Sequence, residues 1–210
     1  MQPGSGRVTN AIAIATALCW VLALLFERAI DVGALAGFIP GRLSGAVTVV
    51  GAVPAALTPL TATLIHGDLI HLGFNMLMLV WCGRQVESAL GGRLLVLLYV
   101  LGAYAAALAE WALAPSSPVM VIGASGAISA LLAVYALVFS EQAVKPIAGL
   151  PLHVVRALWL GIAWVGIQTL IGFALNNGSG GIAIGAHVGG FVIGLLLARP
   201  LLRWRYRQRQ

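Results

Sequence analysis

The 210-residue chain is 60% hydrophobic and only 9% charged, whereas ordinary soluble domains carry about 25% charged residues, so it cannot present a mostly polar surface to water and reads as a membrane protein. Its formal charge of +6 does not mark a nucleic-acid binder, because five of the twelve Lys and Arg residues crowd into Arg199 and the tail Arg203, Arg205, Arg207 and Arg209. With Trp204 and Tyr206 beside them, these suit an anchor on anionic lipid.

Spans of about 20 apolar residues cross a bilayer core, and six are predicted, at roughly 8–26, 69–89, 94–113, 119–139, 157–175 and 182–198. The first is a 19-residue apolar run, longer than the ~7 to 15 residues of a signal-peptide core, so it reads as an uncleaved anchor. Between the first two spans, residues 27–68 are apolar but interrupted by Gly33, Gly37, Pro40, Gly41, Gly45, Gly51, Pro54 and Pro59. That spacing breaks a straight helix, and the segment reads as a long membrane-associated loop. Cys19 and Cys82 both fall inside apolar spans, so neither a disulfide framework nor a metal knuckle is implied.

Orientation follows from the basic residues. With the N-terminus inside, Arg7, Arg84, Arg93, Lys145, Arg156 and the five basic residues near the C-terminus lie on the inner side, leaving Arg28 and Arg42 outside. Both termini are therefore expected in the cytoplasm. The expected organisation is a short cytoplasmic N-terminus (1–7), an all-α six-helix membrane domain (8–198) and a basic cytoplasmic tail (199–210).

Few strongly polar side chains remain inside the spans: His71 and Asn75, Ser125 and Ser129, Gln168, and His187. Such groups are costly to bury without partners, so each is a functional candidate. The second, fourth and sixth spans all enter from the outer side. At ~1.5 Å per residue, their His71, Ser125 and His187 lie less than about 10 Å below that boundary. His71 and Asn75, four residues apart, share a helix face. Ala186, Gly190 and Gly194 recur every four residues, as do Ser125, Ser129 and Ala133, and small residues at this spacing let membrane helices pack backbone to backbone. Close contact between the fourth and sixth spans could bring His187 within hydrogen-bond reach of Ser125. A histidine so placed can take the proton from a serine hydroxyl, and backbone N–H groups at the head of the fourth helix would add donors for an oxyanion. No third acid stands at the right depth: Asp68 belongs to the loop, and Glu110 has no evident route to His187. The pattern reads as a Ser-His dyad for acyl transfer.

Three motifs in order, His66-Gly67-Asp68-Leu69-Ile70-His71-Leu72-Gly73-Phe74-Asn75, then Gly123-Ala124-Ser125-Gly126, then Ala186-His187-Val188-Gly189-Gly190, make the chain resemble the rhomboid family of intramembrane serine proteases from about Pro54 to Gly194. The resemblance implies a six-helix bundle with Ser125 as nucleophile and His187 as general base. It also implies an oxyanion hole of His71, Asn75 and the Ser125 N–H, with Gly123, Gly126 and Gly190 as supporting glycines. Glu87, in Gly83-Arg84-Gln85-Val86-Glu87, takes a structural role. The fifth helix and loop 176–181 resemble the family's gate and cap. No cofactor and no metal is implied. The implied partners are transmembrane protein substrates and membrane lipids, with no nucleic acid, and the implied location is a bacterial inner membrane. Many members carry a Trp-Arg pair ahead of a Thr-Pro in the first loop; here Ala55-Ala56-Leu57 precede Thr58-Pro59, which leaves the anchoring of that loop open.

Each polar residue taken alone has a blander reading. Ser125 and Ser129 could be packing residues, Asn75 and Gln168 interhelical hydrogen-bonding groups, and His71 a capping residue. His66 and His153, in or near loops, are given no chemistry. A transporter would place polar residues near the midplane and often show an internal repeat, and neither is seen. A catalytically silent relative is disfavoured by the presence of both Ser125 and His187.

Overall fold

The computed structural model describes residues 6–26, 31–139, 147, 149–175 and 183–207, with backbone only at 26, 168 and 171–175. The expectations for Gln168 and for loop 176–181 fall outside the described side chains and residues. Among the described residues the chain is all helix, apart from one isolated bridge between Phe38 and Val121.

Helix α1 (Arg7–Phe26) has no acidic residue in its first turn. Its orphan N–H groups are met from another helix. Glu87 accepts from the Val8 N–H at 3.1 Å, the Thr9 N–H at 2.8 Å and the Thr9 hydroxyl at 2.7 Å. A buried carboxylate at the positive end of a helix satisfies both the donors and the dipole. Glu87 thus ties α1 to the C-terminal half of the second long helix.

The glycines and prolines of the first loop divide it into short pieces, namely α2 (Val32–Ala36), capped by Asp31, α3 (Pro40–Leu43), and α4 (Thr58–Thr61) between two 3-10 turns. The open question of its anchoring has an answer here. Arg42 Nη2 donates to the Val53 carbonyl at 2.6 Å, and the Tyr104 hydroxyl donates to the Ala56 carbonyl at 3.0 Å. The Gly41 N–H reaches the Ser117 carbonyl at 2.9 Å, and Trp111 and Pro115 both hold the Ser44 hydroxyl at 2.7 Å.

Five longer helices follow: α5 (Leu69–Leu90), α6 (Gly92–Leu113), α7 (Ser125–Val138), α8 (Leu152–Leu175) and α9 (Ile184–Arg207). The segment Ala55–Leu64 meets α5 at a 90° bend. Among the described residues, three helices are long and apolar enough to cross a membrane, Arg7–Leu25, Gly92–Leu113 and Ile184–Arg207, or four if the bent pair is one span. Helices of this length and composition are those of an integral membrane protein.

Three boundaries depart from the sequence expectation, one of them that of the fifth helix, which starts at Leu152 and not at 157. The fourth helix starts at Ser125, not 119, because the residues before it bond elsewhere. Phe38 and Val121 exchange N–H···O bonds of 3.0 and 2.7 Å, and the Gly123 N–H donates to the Ala62 carbonyl at 2.9 Å. The last helix runs past 198, through Pro200 to Arg207. The basic residues up to Arg207 therefore continue α9. An interior proline removes one helical hydrogen bond, and α9 continues through it.

Helix α7 is the hub, packed on α5, α6, α8 and α9. Every residue from Ser125 to Val134 is buried, as expected of a helix apolar on all sides. At 14 residues it is about 21 Å long, and small side chains let its neighbours close on it. A methyl group added at Gly190 would fall on the Gly126 carbonyl, and one at Gly194 on that of Ala130. The small-residue seam between the fourth and sixth spans is therefore backbone-to-backbone contact.

Candidate active site

The starts of α5, α7 and α9 meet at one end of the bundle. Asp68 caps α5, its carboxylate accepting the His71 N–H at 2.8 Å. This fixes the turn that carries His71, the third residue of the helix. The turn into α7 passes through Gly123 at φ 108°, and a Cβ there would stand 2.7 Å from His71 Nε2. Only glycine meets both demands without strain. The His71 imidazole consequently lies against the turn that presents Ser125, the first residue of α7.

Ser125 Oγ and His187 Nε2 are 2.9 Å apart, and both residues are only 6% exposed. This is the reach a general base needs to take a hydroxyl proton. The first N–H groups of α7 have no intrahelical partner and point back towards the turn. Ser129, one turn on, donates to the Ser125 carbonyl at 2.7 Å and accepts the Trp164 Nε1–H from α8 at 2.7 Å. Trp164 in turn stacks on Phe74, with ring centroids 5.7 Å apart.

Several sequence candidates converge and some do not. Ser125, His187, His71 and Gly123 come together, and Gly126 and Gly190 lie back to back behind them. Asn75 is fully buried, one turn below His71, and its Nδ2 donates to the His71 carbonyl at 2.9 Å. Among the described residues its Oδ1 has no hydrogen-bond partner. Glu87 lies near the far end of α5, where it caps α1.

Two residues left without chemistry by the sequence stand beside this cluster. His66 is buried, its Nε2 accepts the Ala124 N–H at a long 3.4 Å, and its ring lies 4.9 Å from that of His71. Its carbonyl accepts the Trp20 Nε1–H at 2.9 Å, which links α1 to the site. Glu110, which lacked an evident route to His187, reaches the neighbouring residue, accepting the Ala186 N–H at 3.1 Å. A helix-end carboxylate serving another helix leaves no periodic signal in sequence. Among the described residues, no group of three or more His, Cys, Asp or Glu side chains is placed to hold a metal ion.

The rhomboid domain pattern matches residues 55–204, most of the chain and all of this cluster. The chain belongs to the rhomboid family. Among its relatives are proteins named rhomboid protease GlpG. The one from Serratia proteamaculans is 32% identical over 136 residues, that from Yersinia enterocolitica 34% over 137, and that from Pectobacterium atrosepticum 31% over 138. Each alignment covers 64% of this chain but only 44 to 45% of the relative. The chain thus spans less than half the length of the rhomboid proteins it matches.

Proposed function

We propose that this protein is an intramembrane serine endopeptidase that cleaves transmembrane segments of other proteins near the outer face of a bacterial inner membrane. The observation that carries the reading is the 2.9 Å contact between Ser125 Oγ and His187 Nε2, buried at the meeting of three helix starts in a chain of the rhomboid family. His187 Nε2 accepts the Ser125 proton as Oγ attacks the scissile carbonyl carbon, giving a tetrahedral oxyanion. His187 then gives the proton to the leaving amine, and water, activated the same way, releases the acyl group from Ser125. The oxyanion is held by the Ser125 N–H and His71, with Asn75 fixing the turn that carries His71 and offering its second amide hydrogen. The partners are transmembrane substrates and lipid, and the chemistry uses no cofactor or metal.

A serine-reactive fluorophosphonate on the purified protein tests this reading. Wild type is expected to be labelled and His187→Ala not; equal labelling of both would remove the histidine from the role of base. In the same preparation His71→Ala should lower kcat more than it raises KM, whereas the reverse would make His71 a substrate-binding residue.

The topology belongs to the same proposal: the broken span ending in α5, together with α1, α6, α7, α8 and α9, makes six crossings, with both termini cytoplasmic. The N-terminal residues 1–7, the membrane domain 8–198 and the basic end 199–210 keep their roles, the last against anionic lipid. Cysteines placed one at a time at the two ends should resist a membrane-impermeant thiol reagent in intact cells. Ready labelling at either end would overturn the orientation.

A further inference from the structure

Among the described residues, none next to α9 in sequence caps its start. The residue before it is Ala183, which offers no side-chain acceptor, and its first turn holds no acidic residue. The third helical N–H, that of Ala186, is the donor an N-cap side chain ordinarily serves. Here Glu110, near the end of α6, supplies the acceptor, with Oε2 at 3.1 Å from that nitrogen. Gly185 clears the way, since a Cβ there would stand 2.7 Å from Glu110 Oε2 and 2.6 Å from Leu113 Cδ1. A second glycine one turn on, Gly189, lets α9 sit on the Ala105 carbonyl and the Ala109 methyl of α6.

His187 is the next residue after Ala186. Among the described residues its Nδ1 has no hydrogen-bond partner, and no carboxylate there orients the ring directly as in a serine-histidine-aspartate triad. The imidazole is aimed by the backbone of the first turn of α9 and by packing, and the polar group fixing that turn is Glu110. We infer that Glu110 is a positioning residue for His187, acting through the N-terminal turn of α9 and setting the Ser125–His187 distance. The inference rests on the reading of Ser125 and His187 as the catalytic dyad. It assigns Glu110 no contact with substrate and no proton transfer.

The experiment compares wild type, Glu110→Ala, Glu110→Gln and the double variant Glu110→Ala with Ala183→Asp. The readouts are fluorophosphonate labelling rate, kcat and KM on a reporter transmembrane substrate in liposomes, and Tm. Glu110→Ala is expected to lower kcat and the labelling rate together by roughly 10- to 100-fold, as for a displaced catalytic group, with KM changed less than about twofold. Glu110→Gln keeps an acceptor oxygen and should recover most of the rate. Ala183→Asp supplies a local N-cap to the same N–H and should restore the labelling rate in the Glu110→Ala background. Wild-type labelling in Glu110→Ala would overturn the inference, as would a Gln variant as slow as Ala, or a double variant that regains Tm but not labelling rate. If wild type itself is not labelled at Ser125, the dyad reading fails instead, whatever the Glu110 variants do.

Discussion

Ser125→Ala is expected to abolish cleavage of a reporter transmembrane substrate in liposomes, by about 10⁴-fold or more, the scale on which loss of a serine nucleophile is felt. The substitution removes one oxygen whose hydrogen bond is to His187 Nε2 at 2.9 Å. The fold should survive it. The Ser125 carbonyl, held by the Ser129 hydroxyl at 2.7 Å, belongs to the backbone and stays in place. The Gly126 and Gly190 contact behind it involves no side chain of residue 125. Wild-type Tm with no cleavage is the predicted pair of results. Cleavage at the wild-type rate would end the nucleophile assignment.

Gly190→Ala is expected to damage both site and fold, although it adds a single methyl group. That methyl falls on the Gly126 carbonyl, with Ser129 Cβ also close, so α9 must move away from α7. Backbone on backbone cannot yield by rotating a side chain. Overpacking of this kind costs roughly 1 to 3 kcal/mol, and displacement of His187 from Ser125 should cost about 100-fold in kcat. Gly166, with nothing within 4 Å of its Cβ position, is the comparison: Gly166→Ala should leave Tm unchanged or raised, because alanine is the better helix former. A Gly190→Ala protein with the Tm and turnover of wild type would show that the close approach of α7 and α9 is not required.

Much of the helical framework was legible because apolar runs and punctuating residues act locally. The runs that became α1, α5 and α6 are continuous and long, and Gly91, at φ 82°, separates the last two. The fourth helix was read six residues too early. Residues 119–124 are apolar enough to belong to it, but their backbone groups are taken by Phe38 and Ala62, residues more than fifty positions away in the chain. The last helix departs in the opposite direction, continuing past 198 through Pro200 to Arg207.

The sequence by itself determined that the chain lives in a membrane, because its composition leaves too little polar surface for water. It also brought His71, Ser125 and His187 to one end of the bundle, because three of the spans run in the same direction and each carries its polar residue near its start. The four-residue spacing of small side chains marked the seam where α7 and α9 meet. Tertiary structure alone decided which side chains hold the bundle together: His66 at the Ala124 turn and Glu110 at the first turn of α9 beside the site, and Glu87 at the far end of α5, reaching across to cap α1. Each is a polar side chain on one segment satisfying backbone groups of another, and such a pairing depends on where helices end in space. No local period or propensity encodes it.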